Sequence, residues 1–443
     1  MTRSSTIWTL FLAVVLTSPA LSARAATRLV DGGGQALQAA VAAAAPGDTL
    51  VLAAGDYRVH LIIERPLTLQ GRPGAVLDGA GQGNVITIRA PDTTVRDLAV
   101  VHSGRNLTKM NAGIFVERKA ARVTIQGNRL DDVAFGIWLD GCADARIERN
   151  RIHGIPSIRS QDRGNGVHLF NVHGAVVAGN EIWQTRDGIY IDTSNGNTLR
   201  DNDIHDLRYG IHYMYSHHNR IVGNRTRHTR TGYALMQSNH LTVIGNRSEE
   251  DRNYGILMNY ITYSEIRDNV IEDTARGRAF VTGGAGVIGA EGKAIFVYNS
   301  PFNTINDNIF RGSDIGIHLT AGSEDNAVYD NAFLHNRNQV KYVASREQEW
   351  SHDGRGNYWS DYLGWDLDGD GVGDVPYEPN DGVDKLLWKY PLARMLMNSP
   401  AVATLRWVQS EFPVLRPPGV KDTHPLMHPP AAADVTATPS KRP

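Results

Sequence analysis

The sequence predicts an all-β fold, a right-handed parallel β-helix made of coils of about 22 residues, with an N-terminal cap helix and a C-terminal segment outside the repeat. Asparagines followed by an apolar second neighbour recur at steps of 22, 30, 22, 22, 22, 23, 39 and 23 residues. A glycine followed by an apolar–x–apolar triplet keeps the same phase, and short stretches alternate apolar and polar residues as strands do. The asparagines are Asn128, Asn150, Asn180, Asn202, Asn224, Asn246, Asn269, Asn308 and Asn331.

The repeat itself distinguishes this fold from other solenoids. A leucine-rich repeat of similar length needs a leucine-dense frame and a helical half, and this sequence has neither. We expect the asparagines to stack as an internal amide ladder, one coil above the next. The long steps of 30 and 39 residues are coils with insertions, near Ile155–Gly164 and Glu272–Gly292, and such loops often lie on the working face of a solenoid. The glycines of the second marker are Gly136, Gly166, Gly188, Gly210 and Gly316.

The N-terminal residues predict export and a capped first coil. A positive start, a short apolar run and Ala23-Arg24-Ala25 form a secretory signal peptide, with cleavage after Ala25. Gln35–Ala42 favours a helix that covers the open end of the solenoid. The following Gly47–Tyr57 and Pro66–Gly71 resemble the head of pectate-lyase-like β-helix proteins. The expected segments are a signal peptide over 1–25, a β-helix over 26–350, an Asn-Tyr-Trp and Asp-Gly-rich block over 351–391, an apolar docking or capping segment over 392–412 and a disordered Pro-rich tail over 413–443.

Composition excludes some classes of function. Lys and Arg number 45 and Asp and Glu 47, so there is no basic field to bind nucleic acid. Cys142 is the single cysteine, so intrachain disulfides cannot hold the fold and its stability must come from packing.

Carboxylates decide how far an enzymatic reading can go. A polysaccharide-modifying lyase, epimerase or glycosidase is the alternative function for any such β-helix, and it needs converging carboxylates or a base beside cations. The candidates are Asp131, Asp132, Asp140 and Asp192. Asp140 and Asp192 occupy the same outward place on coils separated by the coil of Phe170, so we expect them not to be adjacent. The sequence therefore favours a non-catalytic protein.

The C-terminal block carries the most specific resemblance. Asn357-Tyr-Trp-Ser-Asp-Tyr362 is followed by an Asp-Gly loop over Asp366–Tyr377 and by Leu386-Leu-Trp-Lys-Tyr-Pro391. From about Leu29 to about Pro400 the chain resembles the NosD family of nitrous oxide reductase maturation proteins. The resemblance implies a periplasmic accessory protein held at the membrane by its partners. These are the permease and ATPase of an ABC-type transporter, a copper chaperone and apo nitrous oxide reductase, and copper is carried transiently.

The Asp-Gly loop predicts a hard-cation site. Asp366, Asp368, Asp370 and Asp374 stand at positions 1, 3, 5 and 9, with Gly371 at the turn, as at the front of a calcium-binding EF-hand loop. Position 12 is Tyr377 instead of a bidentate glutamate. The alternative is an acidic, glycine-rich turn without a metal.

The segment Leu386–Phe412 loses the 22-residue period, gains helix formers and stays apolar. We expect it to dock the permease, and the alternative is a cap on the last coil. The tail beyond Pro413 adds His424, Met427 and His428, which could capture copper opportunistically.

The central coils predict a soft-metal site. Counted from Gly210, His212 and Met214 point outward, and Met236 on the next coil is expected above Met214. Imidazole with two thioethers suits Cu(I). Met258 is ambiguous, because the asparagine register stacks it on Met236 whereas Gly255 turns it inward. Tyr190 and His168 are expected to continue the His212 column. The alternatives are core packing, a partner-binding surface, or metal binding by His217, His218 and His240 at nearby turns.

Overall fold

A computed structural model describes residues 25–275, 291–320, 322–343, 346–379, 382–390, 399–412 and 418–430. The chain forms a right-handed parallel β-helix of three long sheets, which we name A, B and C, as the repeat predicted. The predicted signal peptide and most of the insertion at 272–292 lie outside the described residues. Among the described helices, none is long and apolar enough to cross a membrane.

Each coil contributes one strand to each sheet, in the order A, B, C, and every pairing within the three sheets is parallel. Sheet A contains Thr27–Val30, Thr49–Leu52, Thr68–Gly71, Thr94–Arg96, Thr124–Gln126, Arg146–Glu148, Val176–Ala178, Thr198–Arg200, Arg220–Val222, Thr242–Ile244, Glu265–Arg267, Thr304–Asn306 and Ala327–Tyr329. Sheet B contains Gly55–Arg58, Ala75–Asp78, Ala99–Val101, Arg129–Asp131, Arg151–His153, Glu181–Trp183, Asp203–His205, Arg225–Arg227, Arg247–Glu249, Val270–Glu272, Ile309–Arg311, Ala332–Leu334 and Tyr358–Trp359. Sheet C contains Leu61–Ile63, Ile86–Ile88, Ala112–Val116, Phe135–Asp140, Val167–Phe170, Asp187–Asp192, Tyr209–Met214, Thr231–Asn239, Tyr254–Thr262, Lys293–Tyr298, Ile315–Thr320 and Asn338–Val343.

The two sequence markers have distinct physical roles. The asparagines form the expected amide ladder: Asn128 Nδ2 donates to Asn150 Oδ1 at 3.0 Å, and the same bond recurs on successive coils down to Asn357. The repeat glycines allow neighbouring coils to approach closely. A Cβ at Gly210 would lie 2.5 Å from the carbonyl oxygen of Gly232, so no larger residue fits there. One marker satisfies buried polar groups and the other permits tight stacking.

The N-terminal end is closed by a helix, α1, Gly33–Ala43, as predicted. Leu37 and Val41 are the buried residues of this helix, and they cover the apolar interior of the first coils. Solenoid ends need such covers because an open end exposes strand edges.

The C-terminal end departs from the expected disordered tail. Val420–Lys421 pairs in parallel with Gln348–Glu349, so part of the segment 418–430 packs on the last coils. Asp422 anchors it: the carboxylate accepts hydrogen bonds from the Trp359 indole at 2.8 Å and from the Asn357 backbone N–H at 2.7 Å. Leu426 is buried as well. The proline content predicted disorder because these contacts are made 63 and 65 residues away in the chain.

Two helices separate the last coils from this closing segment. They are α2, Gly382–Lys389, and α3, Pro400–Glu411, and residues 391–398 between them lie outside the described part. The backbone N–H of Gly382 donates to Gln409 Oε1 at 3.2 Å, which ties the two helices together. Helix α3 begins with Pro400 in its first turn, after Ser399 has capped the N–H of Val402.

The solenoid interior is apolar except for one polar cluster. At the inward positions of sheet B, isoleucine gives way to Thr226 and Ser248, and both hydroxyls donate to the fully buried carboxylate of Asp251. Asp251 also accepts from the backbone N–H and the hydroxyl of Thr229, both at 2.7 Å. Burial, opposed by these hydrogen bonds, raises the pKa of Asp251 to about 6.

Candidate metal-binding face

The outer face of sheet C carries a long column of rings. Strand pairing places Trp138, His168, Tyr190 and His212 at equivalent positions on four successive coils. Successive rings touch, with centroids 3.7, 4.7 and 4.7 Å apart. The column extends through His168 and Tyr190 as the sequence predicted, and it ends at Ala234 on the coil after His212.

The methionines lie in the neighbouring column. Asp192 pairs with Met214, two residues beyond the pairing of Tyr190 with His212, so His212 and Met214 share the outer face. His212 pairs with Ala234, and Ser216 donates its backbone N–H to Ser238 Oγ; both spacings are 22 residues. Met236 therefore lies next to Met214 on the following coil, at about one strand spacing of 4.8 Å. Both methionines are partly buried.

Met258 does not belong to this column. It pairs with Leu235, is fully buried and packs in the solenoid interior, while Met236 pairs with Asn259. The coil between Thr231 and Tyr254 has 23 residues, so a 22-residue step shifts the side chain to the opposite face. The asparagine register therefore misplaced Met258, and the position relative to its own glycine was the correct guide.

A buried carboxylate orients His212. The ring Nδ1 lies 3.0 Å from Asp187 Oδ2, and the ring is almost fully buried. Arg208 holds the same carboxylate from two sides, through Nε at 2.7 Å and Nη2 at 2.6 Å. Burial alone would raise the pKa of Asp187, but the hydrogen bonds from His212 and Arg208 hold it below its usual value. An ionised Asp187 accepts the Nδ1 proton, so Nε2 is the ring nitrogen that carries the lone pair.

This arrangement has the chemistry of a metal-binding histidine. Histidine ligands commonly donate their second ring nitrogen to a carboxylate, which fixes the tautomer and raises the basicity of the first nitrogen. The sequence analysis missed Asp187 and Arg208. The available signal was a carboxylate directly before a repeat glycine, Gly188, with an arginine 21 residues later.

His168 is in a different electrostatic state. Burial, reinforced by the positive charge of Arg186, lowers its pKa to about 3, so the imidazole stays neutral at physiological pH. Its Nδ1 is 3.1 Å from the Asn165 amide nitrogen. His168 thus packs within the ring column and stays uncharged.

The alternative histidines lie at the turn after sheet C. His218 and His240 stack with ring centroids 4.7 Å apart, on adjacent coils. His217 accepts a backbone hydrogen bond from Asn239 through Nδ1. This pair remains a second possible metal site, without the thioethers of Met214 and Met236.

The Asp-Gly loop brings three of its four candidate ligands together. One carboxylate oxygen each of Asp366, Asp368 and Asp370 lie within 4.8 Å of one another. Asp374 instead accepts a hydrogen bond from the backbone N–H of Leu367 at 2.7 Å. Hydrogen bonds from the backbone of Gly371 and Gly369 lower the pKa of Asp366. The loop is preorganised as a turn, whether or not a cation binds.

The carboxylates considered for catalysis do not converge. Asp140 and Asp192 each pair with Phe170 from opposite sides, so they lie two coils apart. Asp131 faces outward on sheet B beside Arg129, and Asp132 lies 3.4 Å from Arg105 at the following turn. This separation is what the register predicted.

Comparison with known proteins completes the description. A sequence model of a family described as "Periplasmic copper-binding protein (NosD)" matches residues 149–364. A Pseudomonas aeruginosa protein named "Probable ABC transporter binding protein NosD" is 61% identical over 381 residues, covering 86% of this chain and 88% of the relative. A Stutzerimonas stutzeri protein of the same name is 58% identical over 377 residues, covering 85% and 86%.

Solved structures agree on the fold alone. The A-module of the Azotobacter vinelandii mannuronan C-5 epimerase AlgE6 superposes with a TM-score of 0.57 at 16% identity, covering 71% of this chain and 96% of that one. The Dettilon tailspike protein gives a TM-score of 0.53 at 15% identity, covering 70% and 65%. These neighbours have different names and share the parallel β-helix. From the extent and identity of its similarity to the two relatives, the chain belongs to the NosD family.

Proposed function

We propose that this chain is a non-catalytic periplasmic accessory protein for the maturation of nitrous oxide reductase. It is a docking scaffold that works with an ABC transporter in loading the copper centre. Two lines support this: the names of its relatives, which give an ABC transporter binding protein and a periplasmic copper-binding family, and a metal-binding geometry on sheet C. The copper chaperone and the apo-enzyme are the further partners that the family resemblance implies.

The observation that carries the proposal is the buried Asp187–His212 hydrogen bond beside two outward methionines. His212 Nε2 and the sulfurs of Met214 and Met236 are a soft ligand set that suits Cu(I), the cargo. A partly buried site with few ligands binds the ion and lets a partner remove it, as transient transfer requires.

The test is the triple replacement His212→Ala, Met214→Ala and Met236→Ala. We expect loss of Cu(I) binding in competition with a chromogenic chelator, and reductase that accumulates without a filled copper centre. The matched control replaces His218 and His240, the stacked pair one turn away. If the triple variant binds Cu(I) and supports maturation at wild-type levels, the site is wrong; if only the control loses copper, the ion binds at the turn.

A second part of the proposal concerns docking. Helix α3 and the residue after it expose Leu405, Trp407 and Phe412 to half or more of their full extent. An exposed apolar group of this kind fits a protein partner, and we assign it to the transporter permease. Residues 391–398 of the docking segment lie outside the described part of the chain.

Replacing Leu405 and Trp407 with serine leaves the closing segment 418–430 in place, which deletion from Ser399 would not. We expect the variant to fold with an unchanged melting temperature and to lose co-purification with the permease. Replacing the exposed Leu363 and Leu367 of the Asp-Gly loop is the matched control. Wild-type co-purification of the α3 variant would place docking elsewhere.

A further inference from the structure

Three arginines stand one above another at the edge of sheet C. Arg186, Arg208 and Arg230 precede three consecutive strands of this sheet at steps of 22 residues. The backbone N–H of Arg208 donates to the carbonyl of Arg186, and that of Arg230 to the carbonyl of Arg208, each at 2.9 Å. The guanidinium groups therefore start from backbone positions about 4.8 Å apart. We call these residues the arginine ladder.

The charge of the ladder is incompletely balanced. Asp187 is the carboxylate beside it, and Arg208 and His212 already occupy that group. The nearest approach of Arg186 to Asp187 is 3.9 Å, and its Nε is buried without a hydrogen bond among the described residues. Arg230 is exposed, and within the described part of the chain its side chain forms no hydrogen bond or ion pair.

Stacking like charges on adjacent coils is unfavourable unless a partner supplies the opposite charge. Elsewhere in this chain the same arrangement is compensated internally. Arg225 and Arg247, on adjacent coils of sheet B, both bind Glu249, and Arg247 also binds Glu272. The ladder lacks such a set of carboxylates, although the whole chain has a net charge of −2.

From this contrast we propose that the arginine ladder is a docking site for a carboxylate-rich helix of a protein partner. Guanidinium groups recognise carboxylates through paired, charge-assisted hydrogen bonds. Carboxylates one helical turn apart are spaced at about 5.4 Å, close to the coil spacing, whereas alternate residues of a strand are about 6.8 Å apart.

The location gives the docking site a role. Arg208 binds the carboxylate that orients His212, so an acidic helix on the ladder would lie beside the proposed copper site. This part rests on the proposed function: the partner would be the protein that gives or receives copper. Charge complementarity at such a site chiefly raises the association rate and fixes orientation.

The experiment measures docking without copper. The probe is a fluorescein-labelled, alanine-rich helical peptide with glutamate at every fourth position, titrated with the full mature chain at low salt. We expect binding that weakens as salt is added. The variant Arg186→Gln with Arg230→Gln keeps Arg208, Asp187 and His212, and we expect it to bind the peptide about tenfold more weakly.

The matched control is Arg225→Gln with Arg247→Gln, which removes the same charge from sheet B. Equal weakening in both variants, or no peptide binding by the wild type, overturns the proposal, as does capture of phosphatidylglycerol vesicles in place of the peptide. The charge-reversed variant Arg186→Glu with Arg230→Glu should bind a peptide with lysine in place of glutamate, a gain that misfolding cannot produce. Cu(I) binding is measured in parallel: if it persists while peptide binding fails, the docking proposal fails alone.

Discussion

The buried carboxylate of Asp251 predicts an unusual dependence of stability on pH. It lies inside the solenoid, fully enclosed, and its pKa is raised from 3.8 to about 6. The folded state therefore holds the proton more tightly than the unfolded chain. The stability contributed by protonation is complete below pH 3.8 and is lost as pH rises through 6. A shift of about two units corresponds to about 3 kcal/mol.

The perturbation is Asp251→Asn, which keeps the shape of the side chain and removes its ionisation. An amide oxygen can still accept from the N–H and hydroxyl of Thr229, and the amide nitrogen can donate to Ser248. The pH-dependent term should vanish. Between pH 4 and pH 7 we expect the unfolding free energy of the wild type to fall by about 2 kcal/mol relative to the variant.

The assay is urea unfolding followed by tryptophan fluorescence at several pH values between 4 and 7, with the slope against urea compared between proteins. Asp201→Asn, an exposed turn aspartate paired with Arg200, is the control and should leave the pH profile of the wild type unchanged. A constant difference between wild type and Asp251→Asn across this range would refute the reasoning. It would mean that the four hydrogen bonds compensate the desolvation of the charge.

Three further predictions follow from groups outside the proposed copper site. If the Asp-Gly loop binds calcium, millimolar calcium should raise the melting temperature over chelator, with about 2.7 kcal/mol gained at one hundred times the Kd, and Asp370→Asn should abolish the gain; equal melting with and without calcium removes the idea. Asp422→Ala should release the closing segment, so that the Leu426 amide exchanges at least about tenfold faster, while protection at Leu37 in α1 stays unchanged; unchanged exchange at Leu426 would show that Asp422 does not anchor the segment. Burial raises the pKa of Cys142 to about 12, so a thiol reagent at pH 8 should label it only after unfolding; prompt labelling of the native chain would contradict its burial.

The fold could be predicted from the sequence because its determinants are local and repeated. A period near 22 residues records both the amide ladder and the close approach at glycine, and each rung depends on the coils next to it. The outward placement of His212 and Met214 follows from the same alternation. Their outcome as a metal site is still a prediction, since register places side chains on a face and does not reveal what binds them.

The missed features depend on single insertions or on distant contacts. One extra residue lies in the turn between Arg247 and Tyr254, since Arg225 pairs with Arg247 at 22 residues but Thr231 with Tyr254 at 23. That residue turned Met258 inward, and the step of 23 between Asn246 and Asn269 had recorded it. The anchoring of the closing segment by Asp422 involves partners more than 60 residues away, which no local pattern encodes.

The coil repeat also makes the protein a ruler. Five steps of sheet C separate the strand of His212 and Met214 from the last strand, Asn338–Val343, a distance of about 24 Å at one strand spacing per step. Every step is held by backbone pairing and by the amide ladder, so this length is set by the number of coils. Adding or removing a whole coil would change the reach by about 4.8 Å while keeping each side chain on its face. Reach can therefore evolve in whole steps without rebuilding either end.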